Sequence, residues 1–371
     1  AMVAVSGLAT RGIGGIALVV LAVLSVLPAA DLAVALVNRL VATWLPPAPL
    51  PALALEGDVP EDLRTVVVVP TLLTSAAAID EVIERLEVHA LGSPDGAVSY
   101  ALLTDWKDAL HETMPDDPAL LATAAAGIAR LNRVHGDRFR LLHRRRLWNA
   151  SEGVWMGWER KRGKLHELNR LIGGATDTGF IAVDGVAPSL PAGIRYVITL
   201  DSDTRLPREA ARRLIGKMAH PLNRPRFDAK LGRVVEGHGI LQPRVTPSLP
   251  PRGAGSLFQQ AFSSEGGIDP YAAAVSDVYQ DLLGEGSFAG KGIYDVAVIE
   301  QALAGRVPEN ALLSHDLFEG IFARAGMVSD IEVVEEFPQR YDVAVSRQHR
   351  WARGDWQLLP WVFAGPALGV P

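Results

Sequence analysis

The chain has no cysteine among its 371 residues, which excludes a disulfide framework and any zinc site built on thiolates. This fits a reducing compartment. A basic excess is missing too: 36 Lys and Arg against 42 Asp and Glu leave a net charge of −6, the wrong balance for a nucleic-acid partner. There is no convincing internal repeat and no long low-complexity tract. The glycine-rich "GEGSFAGKGIYD" (284–295) lacks GxxxxGK[ST] and follows a helical pattern rather than a strand, so it does not read as a phosphate-cradling loop. What is present is ordinary for a folded protein. Hydrophobic residues make up 49% and charged residues 21%, enough for one large domain or two ordinary ones.

One stretch lacks charge altogether. Gly12 to Ala30, "GIGGIALVVLAVLSVLPAA", runs for 19 residues without an ionisable group, near the length of a membrane-crossing helix. A cleaved signal peptide is the competing reading, with Arg11 as its basic flank. The following "LAVALVNRLVATWLPP" is apolar but interrupted by Asn38 and Arg39. It reads as a second crossing that completes a hairpin, or as an interfacial helix anchored by Trp44. Arg11 favours a cytoplasmic placement of both ends. Residues 1–56, closed by the Pro-rich "LPPAPLPALALEGDVPED", are therefore expected to form a membrane-associated segment and a stiff spacer. The chain opens on Ala1 and stops within the apolar "WVFAGPALGVP", so it reads as a fragment of a longer protein. The Trp residues of "DWQLLPWVF" hint at a membrane interface.

From residue 57 onward the pattern changes. "TVVVVP" (65–70), "VSYALLT" (98–104), "RFRLLHR", "RYVITL" and "GHGILQPRV" (237–245) read as strands. "SAAAIDEVIERLEVHAL" (75–91), "PALLATAAAGIARLNRVHG" and "KLHELNRLIGG" read as helices. Strands alternating with helices predict an α/β layer fold with a largely parallel sheet. In such sheets ligands sit beyond the carboxyl ends of the strands. Asp105 follows the second strand, and Asp201-Ser202-Asp203 follows "RYVITL". Two carboxylates one residue apart repel unless something positive relieves them, and a hard divalent cation would do so. A plain Asp-rich turn is the alternative.

Three further stretches extend the pattern. "ERKRGKLHELNR" (159–170) reads alone as a solvated basic helix start. "NALLSHDLFEGIFARAG" (310–326) reads alone as a capped helix, with Asp316 at its N-terminus and Glu319 three residues on. "RYDVAVSRQHRWARGDWQLLPW" (340–361) reads alone as an amphipathic surface helix. In combination, Asp105, Asp201-Ser202-Asp203, Asp316 and Arg347-Gln348-His349-Arg350-Trp351 follow in the order of the motifs of family-2-type processive glycosyltransferases. The finer wording, "LVVLAVLSVLPAADLAVALVNRL", "VVVVPTLLTS", "GEGSFAGKGIYD", "LLSHDLFEG" and "RQHRWARGDWQ", resembles the glycosyltransferase region of bacterial cyclic β-1,2-glucan synthases over nearly the whole chain.

The resemblance implies a Rossmann-like GT-A domain over residues 57–371, at the cytoplasmic face of a bacterial inner membrane. It implies an inverting enzyme that moves glucose from UDP-glucose to a growing β-1,2-glucan with Mg²⁺ or Mn²⁺. Asp105 matches the residue that contacts uracil, and Lys164 a basic group near the diphosphate. Asp201 and Asp203 match the metal-binding DxD, Asp203 as the direct ligand. Arg350 matches the arginine that steadies the diphosphate. Arg347, at a position where many synthases carry Gln, joins the donor side. Trp351 matches the acceptor-packing tryptophan, and Ser287, Phe288 and Lys291 border the acceptor. Asp316 matches the catalytic base, the one carboxylate that a single displacement needs. The partners implied are UDP-glucose, a glucan acceptor, the bilayer and further domains of a longer parent chain. The alternatives are a membrane glucan synthase of different linkage, or a binding module that holds a sugar nucleotide without turning it over.

Overall fold

The computed structural model describes residues 15–45, 49–248, 255–262, 278–307, 309, 310, 312 and 315–364. They fall into two units: one holds α1 (Gly15–Trp44) with a short helix over Val278–Leu283, and the other holds the rest.

In the first unit α1 runs for 30 residues with Pro28 inside it. The two apolar stretches read as separate in the sequence are joined: the helix continues through residue 31 and bends. Proline inside a helix removes a hydrogen bond and kinks it instead of ending it where the flanking residues remain strong helix formers. Among the described residues no single helix is long and apolar enough to cross a membrane, whereas Gly15–Val26 and Pro28–Val41, bent by 40°, pass together by length and composition. Ile16, Leu24, Leu32 and Leu40 are exposed along it.

The second unit is built on β1 (Thr65–Leu73), α2 (Ala76–Gly92), β2 (Val98–Trp106), α3 (Asp117–His135) and β3 (Phe139–His143). A small hairpin follows, β4 (Leu147–Asn149) and β5 (Val154–Met156), and then α4 (Arg160–Ile172), β6 (Tyr196–Thr199), β7 (Thr204–Arg205) and α5 (Ala210–Ala219). Beyond a second hairpin, β8 (Arg226–Asp228) and β9 (Arg233–Glu236), come β10 (Ile240–Ser248), β11 (Gly292–Asp295), α6 (Val296–Leu303), α7 (Asp316–Ala323), β12 (Ala325–Glu336) and α8 (Tyr341–Trp356). Eight strands join in the order β3-β2-β1-β6-β11-β10-β12-β7. The β3-β2-β1-β6 half is parallel throughout and β10 runs parallel to β12, while β11 and β7 are antiparallel to their neighbours. The mostly parallel α/β sheet expected from the sequence is borne out.

The central strand shows why. Side chains of a strand alternate between faces, and all four valines of "TVVVV" are buried. Val67 and Val69 enter one core with Leu86 of α2, Leu131 of α3 and Leu214 of α5. Val66 and Val68 enter the other with Leu168 of α4, Ile299 of α6 and Phe322 of α7. A continuous apolar run is the signature of a strand covered on both faces. Each such valine contributes about 1.5–3 kcal/mol relative to exposure. Helix α2 starts where Ser75 accepts a hydrogen bond from the Ala78 amide, an ordinary N-cap.

Three details differ from the sequence reading. Asp105 lies inside β2 rather than after it. The basic run Arg160–Arg162 belongs to the first turn of α4. β11 and β12 were not anticipated at all. β11 hides in "GKGIYD", where glycines suggest a loop, and β12 carries acidic residues at its end that no apolar alternation announces.

Candidate active site

The DSD turn is assembled by pairing across the sheet. β6 ends at Thr199, a turn closes with the Thr204 amide donating to the Asp201 carbonyl at 3.0 Å, and β7 then pairs with β12 so that Glu335 stands opposite Thr204. On the other side β11 pairs with β6, Gly292 opposite Thr199, which brings Lys291 alongside the turn. The first turn of α4 delivers Lys161.

The resulting contacts form a chain of alternating charge. Lys161 Nζ donates to Asp201 Oδ1 at 2.6 Å, and Lys291 Nζ lies 3.1 Å from Asp201 Oδ2 and 2.9 Å from Glu335 Oε2. Arg347 donates to Glu335 Oε1 at 2.8 Å and to Asp203 Oδ2 at 3.1 Å. Three carboxylates thus face three cations. Burial pushes the Asp201 carboxyl up, but Lys161 and Lys291 outweigh it and hold it well below the usual carboxylate range. Burial likewise opposes the Lys291 charge, and Asp201 and Glu335 reverse that and raise its pKa far above the ordinary lysine value. Asp201, Asp203 and Glu335 each offer an oxygen, all within 4.8 Å of one another.

Asp316 sits at the start of α7, beside the same cluster. It does not cap the helix: the N-cap is His315, whose own side chain makes no capping hydrogen bond. Instead the carboxylate packs against Gly290, where an added Cβ would fall 2.7 Å from Oδ2. Gly290 has φ +77°, so glycine suits it both sterically and conformationally. The Gly290 carbonyl accepts from Lys161 Nζ at 2.9 Å. One lysine therefore joins the DSD turn to the residue that backs Asp316. Asp316 Oδ1 is buried without a hydrogen-bond partner among the described residues.

The other expected residues are spread differently. Asp105 and Lys164 are brought together, but inward: both are about 3% exposed, with Lys164 Nζ 3.0 Å from Asp105 Oδ2. Lys164 also donates to the Thr71 carbonyl at 2.8 Å. Arg144 makes a two-pronged bond to Asp105 at 2.7 and 2.9 Å and reaches Glu167 at 2.8 Å. Burial depresses the Lys164 pKa to about 8, Asp105 only partly offsetting it. Arg144 further donates to the carbonyls of Trp158 and Arg160. These flank the entry to α4, where Glu159 and Arg160 both have φ near +50°, a costly conformation for non-glycine residues. Asp105 and Arg144 thus clamp the turn that aims Lys161.

On α8, Arg347 joins the cluster, its guanidinium 6.0 Å from the Trp351 ring centre. Arg350 is exposed and Trp351 is at the exposed limit. Phe288 is buried in the core under α6 and α7, and Ser287 is half-buried. Lys161, Arg144 and Glu335 were not singled out from the sequence. The first two lay within basic runs that look solvated, and Glu335 becomes visible only through the β7–β12 register. A separate cavity of about 400 Å³ lies between α4 and α6, lined by Trp158, His166, Asn169, Tyr294, Glu300 and Glu319 among others. Neither the DSD carboxylates nor Asp316 line it.

No protein-family model matches the chain. A solved structure, galactosyltransferase LgtC in complex with donor and acceptor sugar analogues, aligns over 71% of this chain and 72% of its own. It is 14% identical with a TM-score of 0.29, too low to support a comparison of folds. Sequence similarity is far stronger with cyclic β-(1,2)-glucan synthase NdvB of Rhizobium meliloti (strain 1021), 51% identical over 348 residues. The match takes in 93% of this chain and 12% of that relative's length. The chain is thus homologous to one segment of a cyclic β-(1,2)-glucan synthase, as its motifs indicated.

Proposed function

We propose that this chain is the sugar-transfer region of an inverting glucosyltransferase that moves glucose from UDP-glucose to a growing β-1,2-glucan. The observation that carries the reading is the link through Lys161, which binds Asp201 of the DSD turn and the carbonyl of Gly290, the residue against which Asp316 packs. A diphosphate-side cluster and a carboxylate oxygen that accepts no hydrogen bond among the described residues are held next to each other. A sugar-nucleotide-binding module without turnover would have no use for that oxygen.

The donor set fits a hard divalent ion, since three carboxylates converge within 4.8 Å and such ions take oxygen ligands. Asp201, Asp203 and Glu335 would hold Mg²⁺ or Mn²⁺, which supplies positive charge to the departing nucleotide when bound. The chain's own residues do the remaining work. Lys161, Lys291 and Arg347 are cations already gathered where a diphosphate brings negative charge, and Arg350 and Trp351 project from the same helix as Arg347. Asp316 accepts the proton of the acceptor hydroxyl as that oxygen attacks the anomeric carbon and the bond to the nucleotide breaks. One displacement inverts the anomeric centre, and one base suffices. Asp105 acts here through Arg144 and the α4 entry rather than on the base of the nucleotide.

We assign α1 to a bacterial inner membrane, with the second unit in the cytoplasm. Its exposed apolar side chains and the combined length of its two halves support that reading.

Calorimetric titration of the detergent-purified chain with UDP-glucose tests the donor site, with and without Mn²⁺ or Mg²⁺ and against UDP-galactose and GDP-mannose. Metal-dependent binding that prefers UDP-glucose is expected. Absence of binding to every nucleotide sugar by a folded sample would overturn the assignment, and product analysis of the glucan tests the linkage.

A further inference from the structure

His315 and Glu319 play no part in the transfer step described above, yet both are buried beside its base. His315 is 3% and Glu319 9% exposed. They stand four residues apart at the start of α7, the spacing that sets two helical side chains face to face. His315 Nδ1 lies 2.8 Å from Glu319 Oε1 and 3.6 Å from Asp316 Oδ1. The same ring nitrogen therefore faces both carboxylates. A buried carboxylate is almost never left without a partner, and among the described residues Glu319 has only this imidazole at ion-pair distance. Asp316 Oδ1, for its part, has no hydrogen bond, so its charge is balanced through space rather than by a donor.

We propose that Glu319 is a positioning residue, which anchors a protonated His315 so that its ring faces the Asp316 carboxylate while substrate closes over it. This rests on the reading of Asp316 as the base and adds to it. Lys161, Lys291 and Arg347 already balance Asp201, Asp203 and Glu335, so the negative charge left to offset beside Asp316 is that of a bound donor diphosphate. A cation fixed at 3.6 Å opposes that without donating a hydrogen bond that would weaken the base. The charged groups facing His315 are Glu319 and Asp316 on its own helix and Lys161 of α4. Burial disfavours the imidazolium, but Glu319 and Asp316 outweigh burial and Lys161, leaving its pKa above the ordinary histidine value.

Two measurements test the pair. The first is ¹⁵N NMR of histidine-labelled chain, which reads imidazole protonation without any turnover. His315, identified by its loss in His315→Gln, is expected to remain protonated at pH 7 and to become neutral at that pH in Glu319→Gln. A neutral His315 at pH 7 in the unmodified chain overturns the proposal whether or not the variants fold. The second is the pH profile of kcat/KM. In Glu319→Gln the acidic limb should move up by about one pH unit, with activity recovering toward the parent value at high pH, and Glu319→Asp should restore part of the shift. An equal loss at every pH means a structural role and also overturns the proposal. If Asp316→Asn keeps its turnover, the base assignment fails, and the NMR result still decides whether the ion pair exists.

Discussion

Around the DSD turn Asp201, Asp203 and Glu335 are each tied to a cation, whereas among the described residues the buried Asp316 Oδ1 accepts no hydrogen bond and faces the His315 ring at 3.6 Å. A base must be within reach of its proton and must not be spent on a stronger partner. Asp316→Asn keeps the shape and removes the proton acceptor. Turnover should fall by roughly 10²–10⁴-fold while calorimetric UDP-glucose binding stays within a factor of two or so of the parent. A parallel loss of binding would instead make Asp316 a donor contact. The residue behind it is equally exposed to test. Gly290→Ala forces an L side chain to φ +77°, which costs about 1–2 kcal/mol, and drives a methyl onto the carboxylate. Turnover should drop with a modest loss in urea midpoint, and a variant as active as the parent would show that Asp316 does not depend on this backing. Asp201, Asp203 and Asp316 were legible in the sequence because carboxylates at strand ends and helix starts stand out against apolar runs. Lys161 and Arg144 were not, because their significance lies in what they touch. A basic residue in a run of basic residues looks solvated until the fold buries it.

Among the elements, the parallel βα units could be read from hydrophobic pattern alone, since strands buried on both faces are continuous apolar runs. β12 could not. Its buried stretch is short, and Glu332, Glu335 and Glu336 make its end look like a loop. The fold tolerates them because each meets an arginine: Arg244, Arg347 and Arg85 respectively. α8 depends on the same pairing. Only Ala344 and Gly354 are buried along its 16 residues, so Arg347 is its main tie to the DSD turn. That arginine stands where a divalent ion would compete for Asp203 and Glu335. Removing it with Arg347→Met should tighten binding of Mn²⁺ alone by about tenfold, because like charges a few ångströms apart oppose each other by an amount on the order of 1–4 kcal/mol. Glu335→Gln should weaken it. Electron paramagnetic resonance titration of free Mn²⁺ reads both, and an unchanged or weaker affinity in Arg347→Met would mean that the three carboxylates do not form the ion's site.

For the molecule as a whole, the groups that decide acid stability are buried imidazoles. His89 on α2, His143 at the end of β3 and His238 before β10 all have pKa values lowered to about 4, in each case first by burial. His143 Nδ1 is bonded to Thr104 Oγ1 at 2.7 Å, and His89 meets the backbone of Thr204 where the DSD turn closes. In the unfolded chain each would titrate near 6.5, so between pH 6.5 and about 4 the unfolded state binds more protons than the folded one. Their stabilising contribution is present above pH 6.5 and is lost as pH falls through that window. At pH 5 each has given up roughly 2 kcal/mol, at 1.36 kcal/mol per pH unit. His315 works the other way, its raised pKa adding stability as pH falls below the folded value, but it is one residue against three. The net loss is a few kcal/mol, a large share of the roughly 5–15 kcal/mol that holds a typical domain together. Urea midpoints should therefore fall steadily from pH 7 to pH 5, before most carboxylates begin to titrate. His143→Gln, which keeps a partner for Thr104, should flatten the slope by about a third of the summed histidine effect. A midpoint that stays level across that range would mean these imidazoles are hydrated or charged in the native chain, and that the sheet and helices around them are packed less tightly than the fold indicates.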